Sequence, residues 1–175
     1  MRKVLLLLVG CALLAGCVPT MLSVYVPATG PTTETSPCGW TNVHVPMFDA
    51  EGVRIVAHFA PAEDHQGVPQ IGMYAVNVHV ARGTSVEFLS NDLEITSPEL
   101  KSAIRLPLER LNSHYPIGTL VGPTEERLFS RPESAERPSE ISVRLPELRI
   151  NGTTTHPAAV ALELRKRLAL VWLCV

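Results

Sequence analysis

The sequence predicts an all-β protein, an antiparallel β-sandwich of immunoglobulin-like type with about seven to nine strands, and three observations carry that prediction. Apolar residues alternate with polar ones along several short stretches, the period of a half-buried strand. Prolines and glycines, 15 and 11 of 175 residues, fall between those stretches as turn formers. Sustained helical periodicity is confined to two segments. With 46% hydrophobic residues the chain is rich enough to bury one core, which excludes a disordered chain. A net charge of -2 without clustered Lys and Arg excludes a nucleic-acid binder, because phosphate neutralisation needs a basic surface.

The first segment is an export signal rather than a fold element. Arg2 and Lys3 precede an apolar run from Val4 to Leu14, followed by small residues. Eleven apolar positions fall short of the ~20 that span a bilayer as a helix. The run ends in Leu14-Ala15-Gly16-Cys17, which resembles the lipobox of bacterial lipoproteins. That resemblance implies cleavage before Cys17, a diacylglyceryl group on its sulfur and acylation of the new amino terminus, with palmitate as the fatty acid. An overlapping tetrapeptide, Leu8-Val9-Gly10-Cys11, would leave too short an apolar run for export, so Cys17 is the preferred lipidation site. Several acyl chains on one residue anchor stably where a single chain holds only reversibly. Val18 follows Cys17 in place of Asp, and by the sorting habit of enteric lipoproteins this implies the inner leaflet of the outer membrane, facing the periplasm.

The expected organisation is therefore a signal peptide (1–16), a lipidated N-terminus with a short linker (17–37) and a β-sandwich domain (38–175). Loss of residues 1–16 leaves 159 of the 175 residues, with 13 basic (15 less Arg2 and Lys3) and 17 acidic side chains, a net charge of -4. A mildly acidic body has no electrostatic reason to lie on an anionic membrane, so the lipid does the holding. Of four cysteines, Cys11 leaves with the signal and Cys17 carries lipid. Cys38 and Cys174 remain as an even pair in an oxidising compartment, where a disulfide between them would close a loop of about 137 residues, worth ~4 to 5 kcal/mol in the chain-entropy model. Trp40 and Trp172 each lie two residues from one of them. Two buried free thiols are the alternative; a zinc site lacks ligand spacing.

Along the mature chain, Met21 to Val26 reads as an edge strand or a tether, and Ala28 to Pro37 as turn chemistry. Ile55, Ala57 and Phe59 form one apolar face; Tyr74, Val76, Val78 and Val80 form another, opposite Ala75, Asn77 and His79. Arg82-Gly83 turns the chain into Val86 and Phe88. The apolar parity then slips before Leu93 and Ile95, which predicts a bulge or bend around Ser90 to Asp92. A second slip crosses Pro146, between Ile141, Val143, Leu145 and Leu148, Ile150. Proline cannot donate to a ladder, so this strand lies at an edge or changes sheets. Asn151-Gly152 is a turn signal, and Val160 to Cys174 follows with apolar residues on one face.

Two segments compete as helices. Pro107 breaks Leu100 to Leu111, whereas Ala158 to Leu170 has real helical propensity and stays open between helix and strand. Gly122 to Glu140 is charged, punctuated by proline and reads as a long loop. Its large apolar residues, Leu128 and Phe129, either dock back onto the sandwich or anchor a partner-binding loop.

No nucleophile elbow, His-Glu-x-x-His helix, calcium loop, phosphate-binding loop or Cys-x-x-Cys pair occurs, so neither catalytic residues, metal ligands nor a cofactor are assigned. Among six histidines, His58 and His79 could approach each other on the solvent side of neighbouring strands, but no carboxylate or cysteine completes a metal site there. Ser113-His114 reads as turn, Glu125-Glu126 and Glu63-Asp64 as solvated loop charges, and Asn151-Gly152-Thr153 as a glycosylation acceptor without meaning in a bacterial lipoprotein. The expected function is a non-enzymatic envelope lipoprotein with a structural or protein-interaction role, its partner an envelope protein that docks on edge strands or on the Gly122 to Glu140 loop. A glycan- or metal-binding lipoprotein is the runner-up, and a hydrolase of envelope polymers the weakest alternative.

Overall fold

The computed structural model describes residues 17–30, 32–35, 42–60, 64–65, 68–69, 71–110, 118–129 and 137–172. Those residues contain strands and no helix: β1 (Cys17–Pro27), β2 (Thr33–Thr35), β3 (Asn42–Ala50), β4 (Val53–Phe59), β5 (Asp64–His65), β6 (Val68–Pro69), β7 (Met73–Val80), β8 (Ser85–Phe88), β9 (Asp92–Thr96), β10 (Ile104–Pro107), β11 (Glu109–Arg110), β12 (Leu120–Val121), β13 (Thr124–Phe129), β14 (Glu140–Arg144), β15 (Leu148–Ile150), β16 (Thr153–Thr155) and β17 (Val160–Trp172). The fold is all-β and antiparallel, as the alternating pattern predicts. Its strands order as β1-β17-β14-β9-β10, β11-β13-β7-β4-β3-β2 and β12-β8-β15-β16, with β5-β6 as a separate pair. Three larger sheets, rather than the two of an immunoglobulin sandwich, share one buried cluster that draws on all of them, from Tyr25 and Ile141 through Val45 and Val78 to Val86 and Ile150.

The six-stranded sheet follows the period-two pattern closely. Val43, Val45 and Met47 of β3, Val53, Ile55, Ala57 and Phe59 of β4, and Val76, Val78 and Val80 of β7 all point into the core. Pairing sets Val53 opposite Val80, Ile55 opposite Val78 and Ala57 opposite Val76, so β-branched side chains pack across the ladder. Glu51 and Gly52, with φ of 54° and 76°, make the two-residue left-handed turn that joins β3 to β4.

The two parity slips are corners where the chain changes sheets. β8 pairs β15 in the four-stranded sheet, and beyond the bends β9 pairs β14 in the five-stranded one. The two strands thus bend side by side, and the Leu89 amide donates to the Glu147 carbonyl at 2.9 Å between the corners. Pro146 sits in the gap between β14 and β15, where its missing amide costs no ladder bond. These corners, together with short edge pieces, raise the segment count above the expected seven to nine. Asn151 and Gly152, with φ of 49° and 87°, form the expected turn. The Asn151 side chain also accepts a bond from the Ser85 amide at 2.9 Å, tying the turn to β8.

Three expectations need correction or resolution. Met21 to Val26 is strand rather than tether: β1 runs from Cys17, pairs β17 over its whole length, and buries Val24, Tyr25 and Val26. The folded body therefore starts upstream of the boundary expected at Cys38. Ala158 to Leu170 is not helical, because β17 finds ladder partners in both β1 and β14, and tertiary pairing outweighs a few tenths of a kcal/mol of propensity per residue. Gly122 to Glu140 is not wholly loop. β13 pairs β7 from Thr124↔Val80 to Phe129↔Ala75, with Leu128 fully buried and Glu125 and Arg127 facing out.

Tyr25 anchors the outermost strand. Its ring meets Phe59 edge-on at 6.5 Å, and its hydroxyl donates to the Pro138 carbonyl at 2.7 Å. Burial, then the nearby Glu99 carboxylate, pushes its pKa up to about 12. Tyr25→Phe leaves that carbonyl unsatisfied and is expected to cost about 1 to 2 kcal/mol in chemical denaturation. Gly122 is constrained from outside: a Cβ there would lie 1.9 Å from the Ala81 carbonyl oxygen. Backbone cannot step aside, so Gly122→Ala should destabilise by about 1 to 3 kcal/mol or more, while Gly83→Ala meets no neighbour and suffers only its positive φ.

Candidate functional site

Polar side chains collect on the outer face of the six-stranded sheet, the face turned away from Val45, Ile55 and Val78. Alternation forces this: when the odd residues of β4 enter the core, Arg54, Val56 and His58 must point the other way. Register then stacks side chains into rows across the strands. One row runs His44, His58, Ala75, Phe129 and another Asp49, Arg54, His79, Glu125.

In the first row the imidazoles of His44 and His58 meet edge to face, 4.5 Å between centroids at 82°. His58 is only 9% exposed although it belongs to the outer face. Burial, reinforced by His44, Arg127 and His79, lowers its pKa from 6.5 to about 4, so it stays neutral at physiological pH. Beside it the Arg127 guanidinium lies over the Phe129 ring at 5.1 Å. The second row mixes acidic and basic groups: the Arg54 guanidinium lies 3.8 Å from the Asp49 carboxylate, and the His79 imidazole 3.9 Å from the Glu125 carboxylate. These pairs are well exposed and contribute little to stability, but they line a shallow depression of about 510 Å³ floored by Gly52, Val80, Ala81 and Thr124. The face offers neutral imidazole, a stacked cation and a strip of mixed charge, which suits recognition of a polar surface.

A smaller recess of about 240 Å³ opens elsewhere, lined by Glu99, Leu100, Arg137 and Pro138. Glu99 accepts bonds from the Ser139 hydroxyl and, at 2.8 Å, from the Ser139 amide. Those bonds hold its carboxyl below the usual range.

The histidine expectation needs revision. His58 and His79 share a face but not a rung, since His58 lies opposite Ala75 and His79 opposite Arg54. Four residues of strand separate the two rungs, about 13 Å. The neighbour of His58 is His44, one strand to the other side. Symmetry about the Glu51-Gly52 turn would set His58 opposite Val45; the register shift between Pro46 and Phe48 is what brings His44 opposite His58, so counting from the turn does not reveal the pair. Among the described residues no group of three His, Cys, Asp or Glu is arranged to hold a metal. Leu128 is corrected too, because a side chain with no exposure inside the core cannot anchor a partner. Phe129 is half-buried against Arg127. Cys17 occupies the first position of β1, while Cys38, Trp40 and Cys174 lie outside the described residues.

His58 makes stability depend on pH with a definite sign. Its folded pKa lies below its unfolded one, so the unfolded chain takes up the proton first as pH falls. Stabilisation from the neutral imidazole is complete above pH 6.5 and declines down to about pH 4, a change on the order of 2 to 3 kcal/mol. His58→Gln should flatten this part of the profile in urea titrations, and parallel profiles for both proteins would contradict the assignment. No family model, curated protein or solved structure matches the chain, so its function is argued from its own chemistry.

Proposed function

We propose that the chain is a lipid-anchored protein of the bacterial envelope, held at the inner leaflet of the outer membrane through Cys17, whose β-sandwich has a structural or protein-interaction role rather than an enzymatic one. The observation that carries this reading is Leu14-Ala15-Gly16-Cys17 at the end of an apolar, basic-headed leader, with β1 beginning at that same cysteine. An acyl group on the first residue of a core-pairing strand holds the body against the bilayer without an intervening tether. The described residues include no helix long and apolar enough to cross a membrane, and the reading asks for none.

The non-enzymatic part rests on what the polar face contains. Its most buried histidine, His58, is set against a second imidazole and kept neutral, where a hydrolytic site would set a nucleophile against its base. A mixed-charge row beside it and the open sheet edges at β2 and β10 are the surfaces an envelope protein would dock on. In the same reading Cys38 and Cys174 are joined, linking the chain near β2 to the segment after β17.

Cys17→Ser should abolish the acyl mass adduct and move the protein out of the membrane fraction. A membrane-bound Cys17→Ser protein, together with a native mass free of lipid, would sink the reading. Thiol labelling of denatured native protein should modify neither Cys38 nor Cys174 until a reductant is added; immediate labelling of both would show free thiols instead.

A further inference from the structure

The segment Arg137-Pro138-Ser139 leads into β14 and is pinned from three sides. The Tyr25 hydroxyl of β1 donates to the Pro138 carbonyl at 2.7 Å, and the Leu164 amide of β17 donates to the Ser139 carbonyl at 2.8 Å. From the third side the Glu99 carboxylate accepts the Ser139 amide at 2.8 Å, together with the Ser139 hydroxyl. Glu99 is fixed in turn, because its amide donates to the Ser97 hydroxyl at 3.2 Å and the next amide, of Leu100, to the Ser97 carbonyl at 3.2 Å. The segment is thus a rigid mount for the side chain at its head.

That side chain is Arg137, and the fold does not use the inner edge of its guanidinium. Nε and Nη2 are both sealed from solvent, and neither meets an acceptor. Unpaired charged donors are among the costlier groups a protein can bury. Nε–H and the adjoining Nη2–H lie parallel, which is the edge that grips both oxygens of a carboxylate.

Arg137 and Glu99 line one recess of about 240 Å³, with Leu100 and Pro138 as its apolar walls. Glu99 takes its bonds from Ser139 and from the Glu140 amide, so the two opposite charges share the recess without closing on each other. Both reach the Tyr25 hydroxyl: burial, then Glu99, raises its pKa, and Arg137 opposes them. The Ser139 and Glu140 bonds also keep Glu99 ionised near neutral pH. A molecule with only a negative charge would be repelled by Glu99, and one with only a positive charge by Arg137. One that carries both charges on a small frame meets neither repulsion, and the volume suits a molecule of that size rather than a large ligand.

We propose that this recess binds the ammonium and carboxylate groups of a small α-amino acid, the carboxylate on the Nε/Nη2 edge of Arg137 and the ammonium on Glu99, with Leu100 and Pro138 against its side chain. Both nitrogens lie below the surface of the recess, so binding turns the guanidinium toward the ligand, a side-chain rotation of a kind common on complex formation. Turning breaks no bond to either nitrogen, since the fold gives them none. The site adds a ligand to the envelope-protein reading and does not depend on the acyl anchor.

Calorimetric titration of the full protein in detergent with L-alanine, sodium acetate and methylammonium chloride tests the assignment. L-Alanine should bind saturably and raise the melting temperature, with acetate and methylammonium each weaker by about tenfold or more. Arg137→Lys keeps the charge but loses the fork, and should weaken L-alanine by about tenfold or more. Glu99→Gln keeps an oxygen for the Ser139 bonds and should reverse the preference, weakening L-alanine and tightening acetate. Far-ultraviolet circular dichroism checks the strands of both variants; should Arg137→Lys fail to fold, the reversal in Glu99→Gln decides alone. Folded native protein that shows no saturable L-alanine binding overturns the proposal, as does equal affinity in the native protein and both variants. Acetate that binds as tightly as L-alanine, and is lost in Arg137→Lys, makes the recess a simple anion site and overturns the role given to Glu99.

Discussion

The pairing of the first strand with the last is the constraint on which the rest of the structure depends. Eleven consecutive rungs join β1 to β17, residues separated by most of the chain, and among the described residues no other pair of strands is in register for so long. Closing a loop of that size costs chain entropy that grows only as the logarithm of its length, so the cost is moderate once and never recurs. In return β1 seals the flank of the five-stranded sheet and carries Tyr25 into contact with Phe59 of the facing sheet. The Tyr25 hydroxyl, reaching the Pro138 carbonyl, ties that flank to the chain just before β14. A strand beginning at Cys17 is thereby part of the core within seven residues, at Val24.

A second constraint acts at the two corners. Two strands that bend together can close the end of a sandwich without exposing an open ladder, and the break in apolar parity is the trace this leaves in the sequence. Leu145 and Pro146 are both buried where β14 gives way to β15. The corner is thus an apolar hinge whose backbone is satisfied by its twin, through the Leu89 to Glu147 bond. Pro146 punctuates a strand it would otherwise interrupt.

The polar outer face is a by-product of the same alternation. Once valines of β4 and β7 fill the core, their neighbours in sequence must stand on the reverse side, and register alone sets His44 against His58. Burial of an imidazole there has an energetic consequence, since the neutral form is the only one that the site accommodates near neutral pH. The row at Asp49, Arg54, His79 and Glu125 faces solvent, and little of the stability depends on its exposed pairs. Core and surface are therefore separable in this sheet at the level of single residues.

Composition and period-two alternation determined by themselves that the chain is built of antiparallel strands, which residues of β4 and β7 face inward, where Asn151-Gly152 turns and that the chain changes direction or sheet at Ser90 to Asp92 and at Pro146. These are local properties: side-chain parity along a strand and backbone preference at a turn are written into a few adjacent residues. The lipobox resemblance at Cys17 is local in the same way. Only the tertiary structure decided that Ala158 to Leu170 is strand, that Thr124 to Phe129 pairs with β7, and that His58 belongs with His44 instead of His79. In each case the outcome lies in which distant segment supplies the ladder partner. A helix-prone or heavily charged stretch becomes strand when two flanking edges offer it hydrogen bonds, and no window of neighbouring residues contains that offer.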